Sequence, residues 1–361
     1  MLGHATKQSV VSTHPESKPT ATPSRWRKFW PWINGGLTAV LLIGGIWYLS
    51  RTIAFADIGQ AFLAADGRFI LLALLIFILN GSVKAWRWRV LLAPDEEDGV
   101  PYTAVFWAIW LGQFVNTVLP FLRLGEIGRA YAINQQIGYS KIQAVSTMLI
   151  EKSLEFILLG LVLLLLVPLA ILPSNFDQLG IILALTATIL LLGMGLVTYK
   201  TDQIAKRLQQ LFKHFPTKAE SWFNHRLISG LNGLSALHSK RGIQAIVLSS
   251  LLITFLDIFV PYVLFFAFSL PLDFVTAMLI NVAVALVTTP PTAPGELGVF
   301  EAAVFFVLAQ VGQAESLATA VIVSYAVVFH LCTLLPKIAL GSLAAAQTKW
   351  SWQRLSASSA P

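Results

Sequence analysis

The sequence predicts an all-α polytopic membrane protein with about eight long transmembrane helices, two short broken or re-entrant helices, and an inverted repeat. Three observations lead to this prediction: the composition, the succession of long apolar segments, and a short motif that occurs twice. Of the 361 residues, 56% are hydrophobic and only 12% are charged, with a mean hydropathy of +0.72. This number of charged residues is too small to cover the surface of a soluble protein of this length.

The composition also excludes several kinds of chemistry. Cys332 is the single cysteine, so we expect neither an internal disulfide nor a cysteine-based metal cluster, and the six histidines are scattered. No phosphate-binding glycine loop or Ser-His-Asp arrangement stands out. We therefore predict no cofactor and no metal, and a transporter rather than an enzyme.

Long apolar segments define the predicted membrane domain. About 20 apolar residues span a bilayer. The segments that approach or exceed this length are 33–50, 69–92, 103–119, 146–172, 178–199, 243–268, 274–289 and 317–343. Two shorter apolar pieces, 127–137 and 299–311, each follow a break rich in proline and glycine and are predicted to be halves of broken helices.

The positive charges predict the orientation and the domain limits. The chain carries a net charge of +7, and its basic residues lie beside apolar spans, so membrane lipid rather than nucleic acid is the predicted partner. A disordered basic tail (1–31), a transmembrane domain (32–346) and a second tail (347–361) follow, with both termini in the cytoplasm and the domain in the inner cell membrane. Segment 200–242 has eight Lys or Arg against two acidic residues and is predicted to be a cytoplasmic amphipathic loop on anionic lipid.

A nine-residue frame recurs with an offset of 170 residues. It reads Pro-x4-Gly-Glu-Ile/Leu-Gly at 120–128 and again at 290–298, each time after an apolar span. Proline and glycine interrupt helices, and the predicted backbone breaks are Pro120, Gly125, Gly128, Pro290, Pro294, Gly295 and Gly298. We expect the chain between the copies to cross the membrane so that they face opposite ways, which is typical of transporters built from inverted repeats.

The first copy combines charges of both signs. A restarting helix offers free N–H groups and the positive end of its dipole to an anion. We predict that Arg123 and Arg129 hold a lipid phosphate, and that Glu126 takes an ammonium group, a hydroxyl or a proton. Because the three residues are spaced three apart, an alternative is a salt-bridge ladder at the membrane surface. The second copy is acid-only, with Glu296 and Glu301.

Further charges lie within apolar segments, where each is expected to have a partner or a function. Glu151 and Glu155 share one helical face and are interpreted either as headgroup-binding residues or as a helix start near the interface. Asp257, Glu296 and Lys337 are candidates for ion coupling, with Lys337 as a counter-ion for Asp257, Glu296 or Glu301.

His330 and the basic, aromatic run at 84–89 can each be explained without a role in headgroup binding. His330 is either a packing residue or a proton relay. The run "KAWRWR" at 84–89 is interpreted as an aromatic belt and a positively charged anchor at the inner end of a span.

These motifs resemble those of a known family. "GQFVNTVLPFLRLGEIGRAY", "STMLIEKSLEF" and "PPTAPGELGVFEAAV" are similar to the lysylphosphatidylglycerol synthase transmembrane-region family, also described as flippase-like or UPF0104 membrane proteins, over nearly all of the chain after about residue 35. The resemblance adds Asn116 to the headgroup-binding candidates. Where the family commonly has Pro-Gly-Gly, this chain has Pro294-Gly295-Glu296, so Glu301 is a better candidate than Glu296 for a functional residue, and we predict that Glu301 binds the headgroup.

The resemblance implies a lipid transporter. Some members carry a soluble domain that charges phosphatidylglycerol with an amino acid, and their membrane part would move the product between leaflets; other relatives are associated with hopanoids or polyprenyl-linked sugars. We therefore expect a flippase for a polar-headed phospholipid or polyprenyl lipid. The alternatives are a membrane-embedded glycosyl or acyl transferase with a polyprenyl-phosphate donor, and an accessory protein that recruits a lipid-modifying enzyme through 200–242.

Overall fold

The computed structural model describes residues 55–93, 99–119, 124–166, 239–290, 293–310 and 319–348. Within these ranges every regular element is helical, which confirms the all-α class for this part of the chain. The helices, numbered in chain order, are α1 (Phe55–Ala64), α2 (Gly67–Leu92), α3 (Tyr102–Val118), α4 (Gly125–Ile137), α5 (Lys141–Leu166), α6 (Lys240–Ala267), α7 (Phe274–Thr288), α8 (Val299–Gln310) and α9 (Thr319–Gln347). A 3₁₀ turn, Pro294–Glu296, lies between α7 and α8.

Three of the described helices, α2, α6 and α9, are long and apolar enough to cross a membrane. Helix α7 is equally apolar but has only 15 residues. Helix α5 has 26 residues, but Glu151, Lys152 and Glu155 interrupt its apolar sequence. The predicted spans 33–50 and 178–199, and loop 200–242 up to residue 238, lie outside the described residues.

The other predicted segments fall on helices, including the two short pieces, which form α4 and α8. The largest difference is at α5, which begins at Lys141 rather than near residue 146. Hydropathy marks only the apolar part of a helix, whereas Lys, Gln and Ala in its first turn favour helix without being apolar.

Side-chain caps explain where several helices begin. The Asp66 carboxylate accepts the backbone N–H of Arg68 at 2.9 Å before α2, and Asp273 accepts that of Thr276 at 2.8 Å before α7. Ser239 accepts the N–H of Gly242 at 3.4 Å before α6. Each cap satisfies a donor that the first helical turn leaves free.

Two hydrophobic clusters form the interior. One is built mainly from α6 to α9, and the other mainly from α2 to α5. Glycine allows the helices to come close: a Cβ at Gly81 would collide with Trp110, and one at Gly341 with Phe114. Outside these clusters many leucines are exposed, among them Leu149 and Leu248 at 66% each, as expected for surfaces that face lipid.

Candidate functional site

A cavity of about 430 Å³ lies among helices of both clusters. Ten charged side chains line it, five basic and five acidic. The basic residues are Lys84, Arg87, Arg129, Lys152 and Lys337, and the acidic ones are Glu126, Glu151, Glu155, Asp257 and Glu296. Apolar side chains, including Phe77, Phe300 and Phe329, complete the wall. The cavity therefore offers both signs of charge within an apolar helical framework.

One wall of the cavity is an unbroken chain of ion pairs, which we call the charge chain. Its members, in order, are Arg129, Glu151, Arg87, Glu155 and Lys152. Glu151 accepts Arg129 at 2.7 Å and Arg87 at 3.0 Å through its two different oxygens. Glu155 accepts Arg87 at 3.2 Å and Lys152 at 2.9 Å, again through different oxygens. The chain connects α4, α5 and α2 and begins and ends on a cation.

Arg87 is the central member of the charge chain, and sequence reasoning missed it. Its side chain is fully buried, and Nη1 also donates to the Ser250 hydroxyl of α6 at 3.2 Å. The interpretation of "KAWRWR" as an interfacial belt and anchor is therefore wrong for Arg87 and Trp88, which are buried, whereas Trp86 is 42% exposed. A polar stripe at helical spacing, Asn80, Lys84 and Arg87, was the available signal.

Arg129 is held on three sides. It bonds to Glu151, its guanidinium stacks over Trp88 at 4.2 Å, and its aliphatic stem passes Gly112, where a Cβ would lie 2.5 Å from Arg129 Cγ. Arg129 thus pairs with a residue on the next helix. The predicted surface ladder with Glu126 does not form at this end, because no ion pair joins Arg129 to Glu126. Arg123 lies outside the described residues.

Asn116 fixes the start of α4. Its side-chain oxygen accepts the N–H of Gly125 at 2.8 Å, and its amide nitrogen lies 3.5 Å from Glu126. A side chain at position 125 would collide with Gly112 and Asn116, so this helix start requires glycine. Within the described residues no Lys, Arg or His nitrogen lies within 4.0 Å of Glu126, which lines the cavity.

Asp257 faces the cavity from α6 and pairs with α2. Lys84 lies 3.5 Å from its carboxylate, and Asn80 donates to the same oxygen at 3.1 Å and to the Ile253 carbonyl at 3.0 Å. Pro261 follows one turn later and has no N–H to donate to the Asp257 carbonyl. Among the three partners suggested for Lys337, the structure therefore gives Asp257 to Lys84.

The second motif makes two separate contacts with α9. Lys337 lies 3.4 Å from Glu296, beside Pro336 in the same helix. Glu301 accepts the N–H of Gly298 at 2.8 Å, as the third helical residue of a capping box does, and its other oxygen lies 2.7 Å from His330 Nδ1. The His330 ring stacks on Phe300, which lines the cavity, whereas Glu301 itself is not among the lining residues.

The two copies of the motif have different backbones. Gly125 and Gly128 lie inside α4, whereas Gly295, Glu296 and Gly298 have φ of +68°, +61° and +81° before α8 begins. Pro290 is exposed just after α7, Pro294 opens the 3₁₀ turn, and Pro120 lies outside the described residues. Even so, Glu126 and Glu296, which correspond at the offset of 170, line the same cavity.

The lining suits a ligand with more than one polar group. Guanidinium and ammonium groups bind phosphate, and carboxylates bind ammonium or hydroxyl groups. In the described part of the chain no three His, Cys, Asp or Glu side chains are grouped so that they could hold a metal ion.

Comparison with known proteins agrees with the composition and the helices. Residues 35–341 match the family described as lysylphosphatidylglycerol synthase TM region. A UPF0104 membrane protein of Pyrococcus horikoshii is 26% identical over 309 residues, covering 79% of this chain and 88% of the relative. Another, from Methanocaldococcus jannaschii, is 25% identical over 240 residues, covering 62% and 91%. No solved structure matches the chain. The chain therefore belongs to the lysylphosphatidylglycerol synthase transmembrane-region family of membrane proteins.

Proposed function

We propose that this protein moves a polar-headed lipid between the two leaflets of a membrane and that the cavity receives the headgroup. The observation that supports this most is the presence of ten charged side chains around one cavity in an apolar helical protein. On insertion scales a charge at the bilayer centre is unfavourable by about 2.5–3.5 kcal/mol, so intramembrane charges mark substrate or ion pathways by default.

The size of the cavity agrees with a headgroup rather than a whole lipid. Its volume of about 430 Å³ lies within the range of about 300–1,000 Å³ typical of small-molecule sites. In the proposed mechanism the headgroup enters the cavity while the acyl chains stay in the surrounding lipid, so the polar part never crosses hydrocarbon unpaired.

Headgroup roles follow from the charges. Arg123 and Arg129 would attract the phosphate toward the cavity, with Arg129 still bonded to Glu151, and Glu126 and Asn116 would receive a hydroxyl or ammonium group at the first motif. Glu301, which holds the start of α8, would couple a proton through His330. Glu151 would keep Arg87 and Arg129 in place, as its bonds to them suggest, and Glu155 would exchange its partners for the headgroup.

The two longest ion pairs among the described residues would be the moving contacts. Lys84 to Asp257 measures 3.5 Å and Lys337 to Glu296 measures 3.4 Å, and all four side chains are partly exposed. Each pair lies beside a proline in a long helix, Pro261 or Pro336. An entering headgroup would exchange these partners for its own charges, which couples ligand binding to movement of α6 and α9.

We further propose the membrane arrangement: eight long spans and two short helices, two motifs facing opposite ways, both termini in the cytoplasm, and the cell membrane as the location. The shared cavity of Glu126 and Glu296 supports the repeat. The basic segments 1–31 and 200–242 support the orientation and an interaction with anionic lipid.

A liposome assay tests the function. The purified full chain is reconstituted with labelled phosphatidylglycerol, aminoacyl-phosphatidylglycerol or a polyprenyl phosphate, and leaflet exchange and headgroup modification are both measured. We expect exchange of at least one lipid well above that of empty liposomes, without a change of the headgroup. Exchange no faster than in empty liposomes for every lipid would overturn the proposal, and a modified headgroup would instead indicate a transferase.

A matched pair of variants connects the activity to the cavity. Asp257→Asn removes a lining carboxylate, and we expect it to reduce exchange. Asp66→Asn makes the same chemical change at the cap of α2, away from the cavity, where asparagine caps as well as aspartate. We expect Asp66→Asn to exchange lipid at the wild-type rate. If the two variants change the exchange rate equally, lipid exchange does not depend on the cavity.

A further inference from the structure

Within the charge chain, Glu151 and Glu155 differ although they lie one turn apart on α5. The Glu151 side chain is 4% exposed, and both of its partners are arginines. The Glu155 side chain is 35% exposed, and its partner Lys152 is 42% exposed. Glu151 is therefore a fixed part of the interior, whereas Glu155 is a carboxylate at the cavity surface held by two cations.

Two cations from different helices meet at Glu155. Arg87 of α2 and Lys152 of α5 approach its two oxygens at 3.2 Å and 2.9 Å. An arginine and a lysine on either side of one oxyanion are also the groups that bind a phosphate in proteins. Glu155 thus occupies the place that an anionic ligand of this cavity would take.

Arg87 has an unused donor. Nη1 binds Ser250 and Nη2 binds both carboxylates, but the buried Nε has no hydrogen-bond partner in the described part of the chain. A buried donor without a partner is unfavourable. A phosphate has more acceptor oxygens than a carboxylate, so it can offer more bonds to the donors of this cluster.

We propose that Arg87 and Lys152 form a binding site for a phosphate group and that Glu155 is its internal competitor. The ligand's phosphate displaces the Glu155 carboxylate, which turns into the cavity, and binds Lys152 and Arg87 in its place. Glu151 stays bound to Arg87 and Arg129 and keeps the site in position. The site deepens the proposed function and rests on it for the lipid as the source of the phosphate, while its binding chemistry is measured separately.

If the phosphate displaces Glu155, two substitutions on α5 should change the affinity for the ligand in opposite directions. Glu155→Gln keeps the shape but removes the competing charge, so we expect tighter binding of a phosphate-bearing ligand, by about tenfold, which corresponds to about 1.4 kcal/mol. Lys152→Gln removes a ligand-binding cation and is expected to weaken binding by a similar factor. Lys141→Gln removes a lysine of the same helix that does not line the cavity, and should leave binding unchanged.

Calorimetry on the full chain in neutral detergent measures this, with dihexanoyl phosphatidylglycerol, dihexanoylglycerol and inorganic phosphate as probes. We expect the first to bind and dihexanoylglycerol, which lacks the phosphate, not to bind. Inorganic phosphate binding as tightly as the lipid would support the site with free phosphate as the source; weaker binding would indicate the lipid.

Two results would overturn the proposal: Glu155→Gln binding no tighter than wild type, or equal binding of the probes with and without phosphate. Because Glu155→Gln is expected to gain affinity, a poorly folded Lys152→Gln does not decide the outcome. Binding with the expected signs but without leaflet exchange would leave the site standing and reject the lipid-transfer function. If lipid exchange is present but Glu155→Gln binds the ligand only as tightly as wild type, the lipid-transfer function would stand and the phosphate site would be rejected.

Discussion

The charge chain and the pairs beside the prolines are both ionic, but their geometry differs. The charge chain has distances of 2.7–3.2 Å, and its central members, Arg87 and Glu151, are almost completely buried. The pairs Lys84–Asp257 and Lys337–Glu296 measure 3.5 and 3.4 Å and are partly exposed. The first joins α2 to α6 next to Pro261, and the second joins the 3₁₀ turn before α8 to α9 next to Pro336. The difference indicates that Glu151 and its two arginines hold the cavity together, whereas the pairs beside the prolines can change their partners.

The largest expected effect is on stability, at the centre of the charge chain. Glu151→Gln leaves Arg87 and Arg129 without their shared carboxylate, and removal of one partner from a buried ion pair costs about 3–5 kcal/mol. We expect a clear fall in the thermal unfolding midpoint of the detergent-solubilised protein. Glu126→Gln is the matched control, because Glu126 has no cation within 4.0 Å among the described residues; an equal fall in both variants would contradict the distinction.

Replacement of a glycine beside Arg129 tests how tightly the charge chain is packed. Gly112→Ala places a methyl group 2.5 Å from Arg129 Cγ, so Arg129 must shift away from Glu151 and Trp88. Overpacking of this kind is unfavourable by about 1–3 kcal/mol. Gly59→Ala on α1 has no neighbouring atom within 4 Å and should not lower the unfolding midpoint. A Gly112→Ala protein as stable as wild type would show that Arg129 has room to move.

The pairs beside the prolines should show the opposite balance between stability and activity. Partly exposed ion pairs contribute about 0–1 kcal/mol, so Asp257→Asn should change the unfolding midpoint little. We expect it to reduce lipid exchange several-fold, because the carboxylate that exchanges Lys84 for the ligand is gone. A loss of stability comparable to that of Glu151→Gln would show that Asp257, like Glu151, is a fixed part of the structure.

The smallest effect concerns the start of α8. Glu301→Ala removes the acceptor of the Gly298 N–H and the partner of His330, and loss of such a capping contact costs about 1 kcal/mol. Glu301→Gln can still accept the N–H, since glutamine also serves in capping boxes, and should be close to wild type in unfolding midpoint. If the two variants are destabilised equally, the cap contributes little and the contact of the Glu301 carboxylate with His330 is the one that matters.

Much of the site was predictable from single residues. Glu126, Arg129, Glu151, Glu155, Asp257, Glu296 and Lys337 were candidates because charges in apolar segments need a reason, and all of them line the cavity. Asn116 came from the family resemblance and also lines it. Arg87 was not identified as a candidate, because it lies among other basic and aromatic residues near the end of a span, where such residues usually face the membrane interface.

The pairing of these charges could not be predicted. Arg129 has Glu126 three residues before it, but bonds to Glu151 across a helix boundary, and Lys337 has three acidic candidates but meets Glu296. Sequence spacing gives neighbours within one helix only, whereas contacts between helices depend on how those helices pack.

The sequence by itself determined the membrane class, the helices in the described part of the chain and most of the charged residues that line the cavity, because hydropathy and the cost of a charge in lipid act on local segments. Only the tertiary structure decided that both motifs border one cavity, that Arg87 lies buried at the centre of the charge chain, and that Glu155 is the partly exposed carboxylate of that chain. These properties depend on distances between helices that are far apart in sequence. Gly341 allows one such close approach, because a Cβ there would collide with Phe114.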